Sequence, residues 1–149
     1  METLKAAVVG VSGIGGYHRS IMHSLDDVEL VAAVEKYPER EKVAEHVEAV
    51  REWGVPLFED IEDMLDEDAD DLDYVTLAVP HHWHAPYTIE CLNRGINVLC
   101  EKPVTIQAQD GWEVVKLADE KGLFVAVDFQ YTSFPHSHQL KEFIAEGGL

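Results

Sequence analysis

The chain has 149 residues, enough for one domain with a sizeable core, and its 46% hydrophobic and 27% charged residues exclude a disordered chain. A formal net charge of −18 repels phosphate backbones and anionic membrane surfaces, so nucleic acid is not an expected partner. No apolar run approaches the length of a membrane span, and no membrane partner is expected.

Apolar, β-rich runs alternate with helical patterns along the chain. Leu4–Val9 is a short apolar run ending at Gly10 and predicts a buried strand. Ile14, Tyr17, Ile21 and Leu25 recur at helical spacing and predict a helix after the turn. Val28–Val34 predicts a second buried strand. Pro38 suits the first turn of a helix running to about Trp53, with Gly54 as its stop. Leu57 and Phe58 suggest a short strand, and a brief acidic helix is expected over residues 61–65. Residues 74–79 predict a strand closed by Pro80, followed by a helix over residues 85–94 that Gly95 ends. A strand over 96–100, a helix over 107–121 ended by Gly122, and a strand over 123–129 follow. A last helix starts near Pro135 and fades at Gly147 and Gly148.

Strands alternating with helices make βαβ units, and these build a parallel sheet covered on both faces. Six strands beginning with a glycine turn fit an α/β doubly wound parallel sheet, the dinucleotide-binding Rossmann fold. Residues 1–149 are expected to form one such domain, without internal linker or repeat, and the chain's end is expected to fall between domains. The N-terminus lacks the charged, apolar and cleavage regions of a secretory signal. Cys91 and Cys100 have neither metal-type nor CxxC spacing, and a reduced cytoplasmic setting is expected.

The turn reads Gly10-Val11-Ser12-Gly13-Ile14-Gly15-Gly16. As G-x-G-x-x-G it places Gly10 first, Ser12 second and Gly15 third. The first glycine allows the tight strand-to-helix turn, the second lets a pyrophosphate approach the backbone, and the third lets helix and strand pack closely. Ser12 departs at the second position, and its hydroxyl is itself able to bond a phosphate oxygen. Glu35 follows Gly15 by twenty residues, at the end of the second strand, which is the context the motif requires. A carboxylate there accepts from the ribose 2′-OH of NAD and repels the 2′-phosphate of NADP. NAD is the expected cofactor and NADP the less favoured one, although Lys36 and Arg40 lie close in sequence. Ser12-Gly13-Ile14-Gly15 is also similar to short-chain dehydrogenases, but no tyrosine here is followed four residues later by lysine, as that family requires.

Two later segments end parallel strands, where open α/β sheets bind ligands. They are Ala78-Val79-Pro80-His81-His82-Trp83-His84-Ala85 and Asn97-Val98-Leu99-Cys100-Glu101-Lys102-Pro103. With them the whole chain resembles the N-terminal domain of the glucose-fructose oxidoreductase, inositol dehydrogenase and rhizopine catabolism (Gfo/Idh/MocA) family. The resemblance implies that Lys102, in Glu101-Lys102-Pro103, lies beside the nicotinamide and the reacting hydroxyl, where an ammonium polarises the oxygen that becomes a carbonyl. Burial and Glu101 are expected to tune it. Val79-Pro80-His81-His82-Trp83-His84 resembles the family's Thr-Pro-Asn-x-x-His, with Pro80 and His84 matching and Val79 and His81 departing. It implies a loop lining the ribose and nicotinamide side of the cofactor. The cofactor-binding set is therefore Gly10, Ser12, Gly13, Ile14, Gly15, Glu35, Val79, Pro80, His84 and Glu101.

His18 matches a histidine of the family's first helix, with a structural role expected. No metal is expected: adjacent His81 and His82 point apart, and the acidic run over residues 59–73 lacks calcium-loop spacing. The resemblance implies a hydride-transfer enzyme acting on a secondary alcohol of a sugar, cyclitol or related compound. It further implies a C-terminal substrate domain, absent from this chain, that supplies a partner histidine and assembles the full-length oligomer. This chain alone is expected to turn over little. The competing functions are a non-catalytic NAD-binding regulatory or sensor domain and an NAD-using glycosidase.

Overall fold

The computed structural model describes residues 3–148. Six strands form one parallel sheet: β1 (Leu4–Val9), β2 (Val28–Val34), β3 (Leu57–Phe58), β4 (Tyr74–Leu77), β5 (Asn97–Glu101) and β6 (Val125–Asp128). Their spatial order is β3-β2-β1-β4-β5-β6, and every pairing is parallel. The strand order reverses between β1 and β4, which is the switch point where such sheets open a crevice at their carboxyl ends.

Six helices connect or follow the strands: α1 (Ile14–Ser24), α2 (Ala44–Glu52), α3 (Ile61–Asp68), α4 (His84–Asn93), α5 (Ala108–Lys121) and α6 (Pro135–Ala145). β1 shows how the sheet is covered. Ala6 and Val8 face a core with Met22 of α1 and Val43, Val47 and Val50 at α2, while Ala7 and Val9 face Ile61, Met64 and Leu65 of α3 and Cys91 of α4. Both sets are buried, so the period-2 alternation serves two apolar faces at once. A smaller cluster joins α4 to α5 through Ala85, Leu92, Val114 and Ala118. No helix among the described residues is long and apolar enough to cross a membrane.

Two sequence expectations change. The helix after the first turn is present, but Ile14, Tyr17, Ile21 and Leu25 are exposed; its buried face is Gly15, Gly16, Arg19 and Met22. Two glycines bring α1 so near the sheet that small residues form the seam, and the larger apolar side chains lie outside it. The second helix starts at Ala44, after a short 3-10 segment over Glu41–Val43, instead of at Pro38. Residues 37–40 form a turn in which Arg40 N–H donates to the Tyr37 carbonyl at 3.2 Å. Pro38 fits the second position of that turn, where its fixed φ is as useful as at a helix start.

Cys91 and Cys100 are free thiols in the core. Burial pushes both up to about 12. Neither is expected to react with a thiol-disulfide reagent near pH 8 in the native protein, because the thiolate is the nucleophile. Both should be labelled after unfolding in guanidinium, which mass spectrometry will count.

Candidate functional site

The site begins where β1 runs into α1. Gly10 has φ +88°, and a Cβ on it would stand 2.3 Å from the Ala78 carbonyl oxygen beyond β4. A Cβ on Gly15 would stand 1.8 Å from the carbonyl oxygen of Gly10. Both positions therefore exclude side chains. Gly13 differs: its φ is +56°, yet a Cβ there would meet nothing within 4 Å. The crowded glycines build the turn, and Gly13 leaves open space over it. Gly13 is also the N-cap of α1, and no side chain caps that end. Uncapped N–H groups at a helix start hold anions readily.

Beside the turn lies a cavity of about 400 Å³, lined in part by Gly10, Ser12, Glu35, Val79 and Pro80. Five of the sequence-predicted residues thus share one cavity. Glu35 follows β2, and its Oε2 accepts the Val11 N–H at 3.3 Å, which ties the acidic position to the glycine turn. Arg19 supports the same turn from below: its Nε donates to the Val11 carbonyl at 3.1 Å, and its guanidinium lies 4.9 Å from the Trp53 ring centre. A backbone cradle with open space, a free helix start and a carboxylate after β2 matches the pyrophosphate and ribose of a dinucleotide.

The other predicted residues lie outside the cavity lining. Gly13 and Ile14 are exposed at the start of α1, and Gly15 is buried beneath the turn. His84 is fully buried, so it joins parts of the site without facing a ligand. Its Nδ1 lies 2.6 Å from the Pro103 carbonyl and its Nε2 2.9 Å from the Val79 carbonyl. It bridges the loops after β4 and β5, and neither ring nitrogen remains for a metal. Glu101 is also buried, with Oε1 3.0 Å from His18 Nε2 and Oε2 accepting the Lys102 backbone N–H at 3.2 Å. Lys102 is exposed, contrary to the burial expected of it, and stands at the carboxyl end of the sheet just after β5.

Asp128 ends β6 in register with Glu101, and its Oδ2 lies 3.6 Å from His18 Nε2. His18, Glu101 and Asp128 are one group of ligand-type atoms within 4.8 Å of each other among the described residues. Burial, then the Glu101 carboxylate, push the Asp128 carboxyl above the usual range, against the pull of His18 and Lys102. The sequence expectations omitted Asp128, because its partners are 27 and 110 residues away and no local motif marks it. They also omitted Tyr37, Asp60 and Tyr87, which line the cavity. Their positions depend on the loop after β2, the start of α3 and the packing of α4 against the core, none of which the turn motif specifies.

This is a doubly wound dinucleotide-type domain with its open site at the switch point. The family model described as "Oxidoreductase family, NAD-binding Rossmann fold" (Gfo/Idh/MocA) matches residues 4–129, and the chain belongs to that family. An inositol 2-dehydrogenase of Rubrobacter xylanophilus is 33% identical over 151 residues, covering 99% of this chain and 41% of that protein. The WlbA dehydrogenase of Bordetella pertussis, solved with NADH and UDP-GlcNAcA, superposes with a TM-score of 0.84 at 28% identity, covering 98% of this chain and 43% of that one. The scyllo-inositol dehydrogenase of Lactobacillus casei, solved with NAD(H) and scyllo-inositol, gives a TM-score of 0.84 at 25% identity, covering 99% and 42%. The chain spans about two fifths of the length of these relatives.

Gly15→Ala is expected to destabilise the fold by more than about 3 kcal/mol, because the new methyl meets backbone that cannot rotate away. Gly13→Ala, with open space but a backbone at φ +56° and ψ −123° that L residues rarely adopt, should cost less, about 1–3 kcal/mol. Urea unfolding of the two variants measures the difference. A pH dependence follows from Asp128. Its folded-state pKa is raised, so the folded chain holds that proton more tightly than the unfolded chain. The stability it adds is present below the ordinary aspartate pKa and is lost as pH rises through the folded value. Asp128→Asn keeps an N–H donor toward Glu101 and cannot ionise. Thermal melts of both proteins from about pH 4 to about pH 7 should show the variant gaining on the wild type as pH rises.

Proposed function

We propose that this chain is the cofactor domain of an NAD-dependent oxidoreductase that moves hydride between nicotinamide and a secondary alcohol of a sugar, cyclitol or related compound. The observation that carries this is the turn itself: Gly10 and Gly15 are crowded against backbone, while Gly13 leaves open space at an uncapped helix start beside the cavity. When bound, NAD supplies the nicotinamide carbon that takes or gives the hydride. The backbone of Gly10, Ser12, Gly13, Ile14 and Gly15 holds the pyrophosphate with the start of α1. Glu35 accepts hydrogen bonds from the adenosine ribose hydroxyls. Val79 and Pro80 wall the cofactor on the β4 side, and His84 acts through them as a positioning residue. Glu101 fixes the backbone at Lys102, whose ammonium hydrogen-bonds the substrate oxygen and stabilises charge as its proton leaves.

The names and bound molecules of the relatives support a polyol or sugar substrate. Because the chain spans only part of those relatives, we assign turnover to a longer, oligomeric, cytoplasmic protein. In it a further domain supplies the partner histidine and most substrate contacts.

Calorimetric titration of this protein should show NAD binding more tightly than NADP. Glu35→Ala should weaken NAD about tenfold, since hydrogen bonds to a charged acceptor are the stronger kind. Binding of neither cofactor would remove the proposal. In the longer protein, Lys102→Ala should slow hydride transfer about a hundredfold or more. NAD that is retained unconsumed while a glycosidic bond breaks would replace the dehydrogenase with a glycosidase.

A further inference from the structure

We infer that Asp60 sets a preference for NAD over NADP by holding the Lys36 ammonium away from where a ribose 2′-phosphate would lie. The inference rests on the proposal that the cavity is the adenosine site.

Beyond the end of β2, Glu35, Lys36, Tyr37 and Arg40 all line the cavity. This is the segment that meets the ribose edge in a doubly wound fold. A 2′-hydroxyl needs an acceptor there, and Glu35 is one. A 2′-phosphate needs cations, and the segment offers Lys36 and Arg40. Both are already engaged. Arg40 folds back through the turn at residues 37–40, and its guanidinium carbon lies 3.8 Å from the centre of the Tyr37 ring. Lys36 Nζ is ion-paired with Asp60 Oδ2.

Asp60 is well fixed for this task. It is the N-cap of α3, and its Oδ1 accepts the Glu62 N–H at 3.2 Å. One carboxylate oxygen anchors the helix start while the other takes the lysine. The pairing leaves the same mark on both partners. Its hydrogen bond to Lys36 holds the Asp60 carboxyl below the usual range, and the same bond raises the Lys36 ammonium. Glu59 and Glu62 line the same cavity and add charge of the sign a phosphate avoids. With Lys36 held by Asp60, an incoming 2′-phosphate meets carboxylates and, of the cavity's two lysines, only Lys42 unpaired among the described residues, whereas a hydroxyl meets an acceptor and no penalty.

The test is the ratio of the NADP and NAD dissociation constants, measured by calorimetry at one low ionic strength. Asp60→Asn keeps an Oδ1 cap for α3 and releases the lysine; Asp60→Ser is a second cap-competent variant. Each is expected to lower the NADP-to-NAD ratio about fivefold or more, with a melting temperature that reports an intact fold. Adding Lys36→Ala to Asp60→Asn should return the ratio to within about twofold of wild type. Lys36→Ala alone should not lower it, because that lysine is already occupied and its loss leaves the Asp60 carboxylate bare. An unchanged ratio in both Asp60 variants overturns the role of Asp60. A gain that survives the loss of Lys36 also overturns it, since deletion of negative charge alone would then be the cause. Wild-type protein that binds NAD separates these failures from failure of the adenosine site; wild-type protein that binds neither cofactor overturns both.

Discussion

The closest constraint in this molecule is backbone against backbone at the start of α1. The Gly15 position has no room for a side chain because the Gly10 carbonyl is there, and Gly10 has none because the Ala78 carbonyl is there. Three segments from β1, α1 and β4 are therefore stacked with nothing but main chain between them. This proximity has consequences in both directions along α1. One turn further on, His18 reaches Glu101 across the sheet end, and Arg19 turns back to the Val11 carbonyl. Neither contact survives if α1 moves away from the sheet by the width of a methyl group. The glycine turn and the side-chain cluster behind Lys102 are thus two results of one packing decision.

His84 performs the corresponding task on the other side of the switch point. A fully buried imidazole set between two carbonyls is a bridge, and these carbonyls belong to Val79 and Pro103. The loop that walls the cavity and the loop that carries Lys102 are consequently fixed relative to each other. Buried polar side chains are retained where their hydrogen bonds specify one arrangement. A histidine matched by its motif position thereby acquires a physical reason for being there, and it is different from touching a ligand. Glu101 follows the same logic: both oxygens are spent on His18 and the Lys102 backbone, so the motif's acid is a brace for its lysine.

Much of this architecture was legible in the sequence. The apolar runs located all six strands, and the glycine spacing with Glu35 located the open end of the sheet. Helical periodicity behaved differently in α1. Ile14, Tyr17, Ile21 and Leu25 signal a helix correctly because spacing is a local property, yet they do not tell which face is buried. That depended on two glycines whose lack of a side chain is invisible to a hydrophobic pattern. Pro38 was ambiguous for a related reason: a φ near −65° suits both a helix start and a turn. The pairs Lys36–Asp60 and Glu101–Asp128 join different strand ends. Only the assembled sheet makes them neighbours, so no window of sequence contains them.

The acidity of the chain looks at odds with a site for an anionic cofactor. The net charge is −18, and Glu35, Glu59, Asp60 and Glu62 line the cavity. Distance resolves the conflict. At physiological ionic strength a charge is largely screened beyond about 8 Å, so most of the surface carboxylates act weakly at the turn. Close in, the balance is local. Three of the chain's eleven lysines and arginines, Lys36, Arg40 and Lys42, line this one cavity. The start of α1 adds backbone dipoles that carry no compensating carboxylate, since its first turn contains no acidic residue. The start of α1 therefore offers backbone N–H groups where a pyrophosphate would lie, while Glu35, Glu59, Asp60 and Glu62 give the same cavity acceptors that hydroxyls would meet. One cavity thus combines N–H donors for a pyrophosphate with acceptors for hydroxyls, which is the combination a cofactor with an unphosphorylated ribose requires.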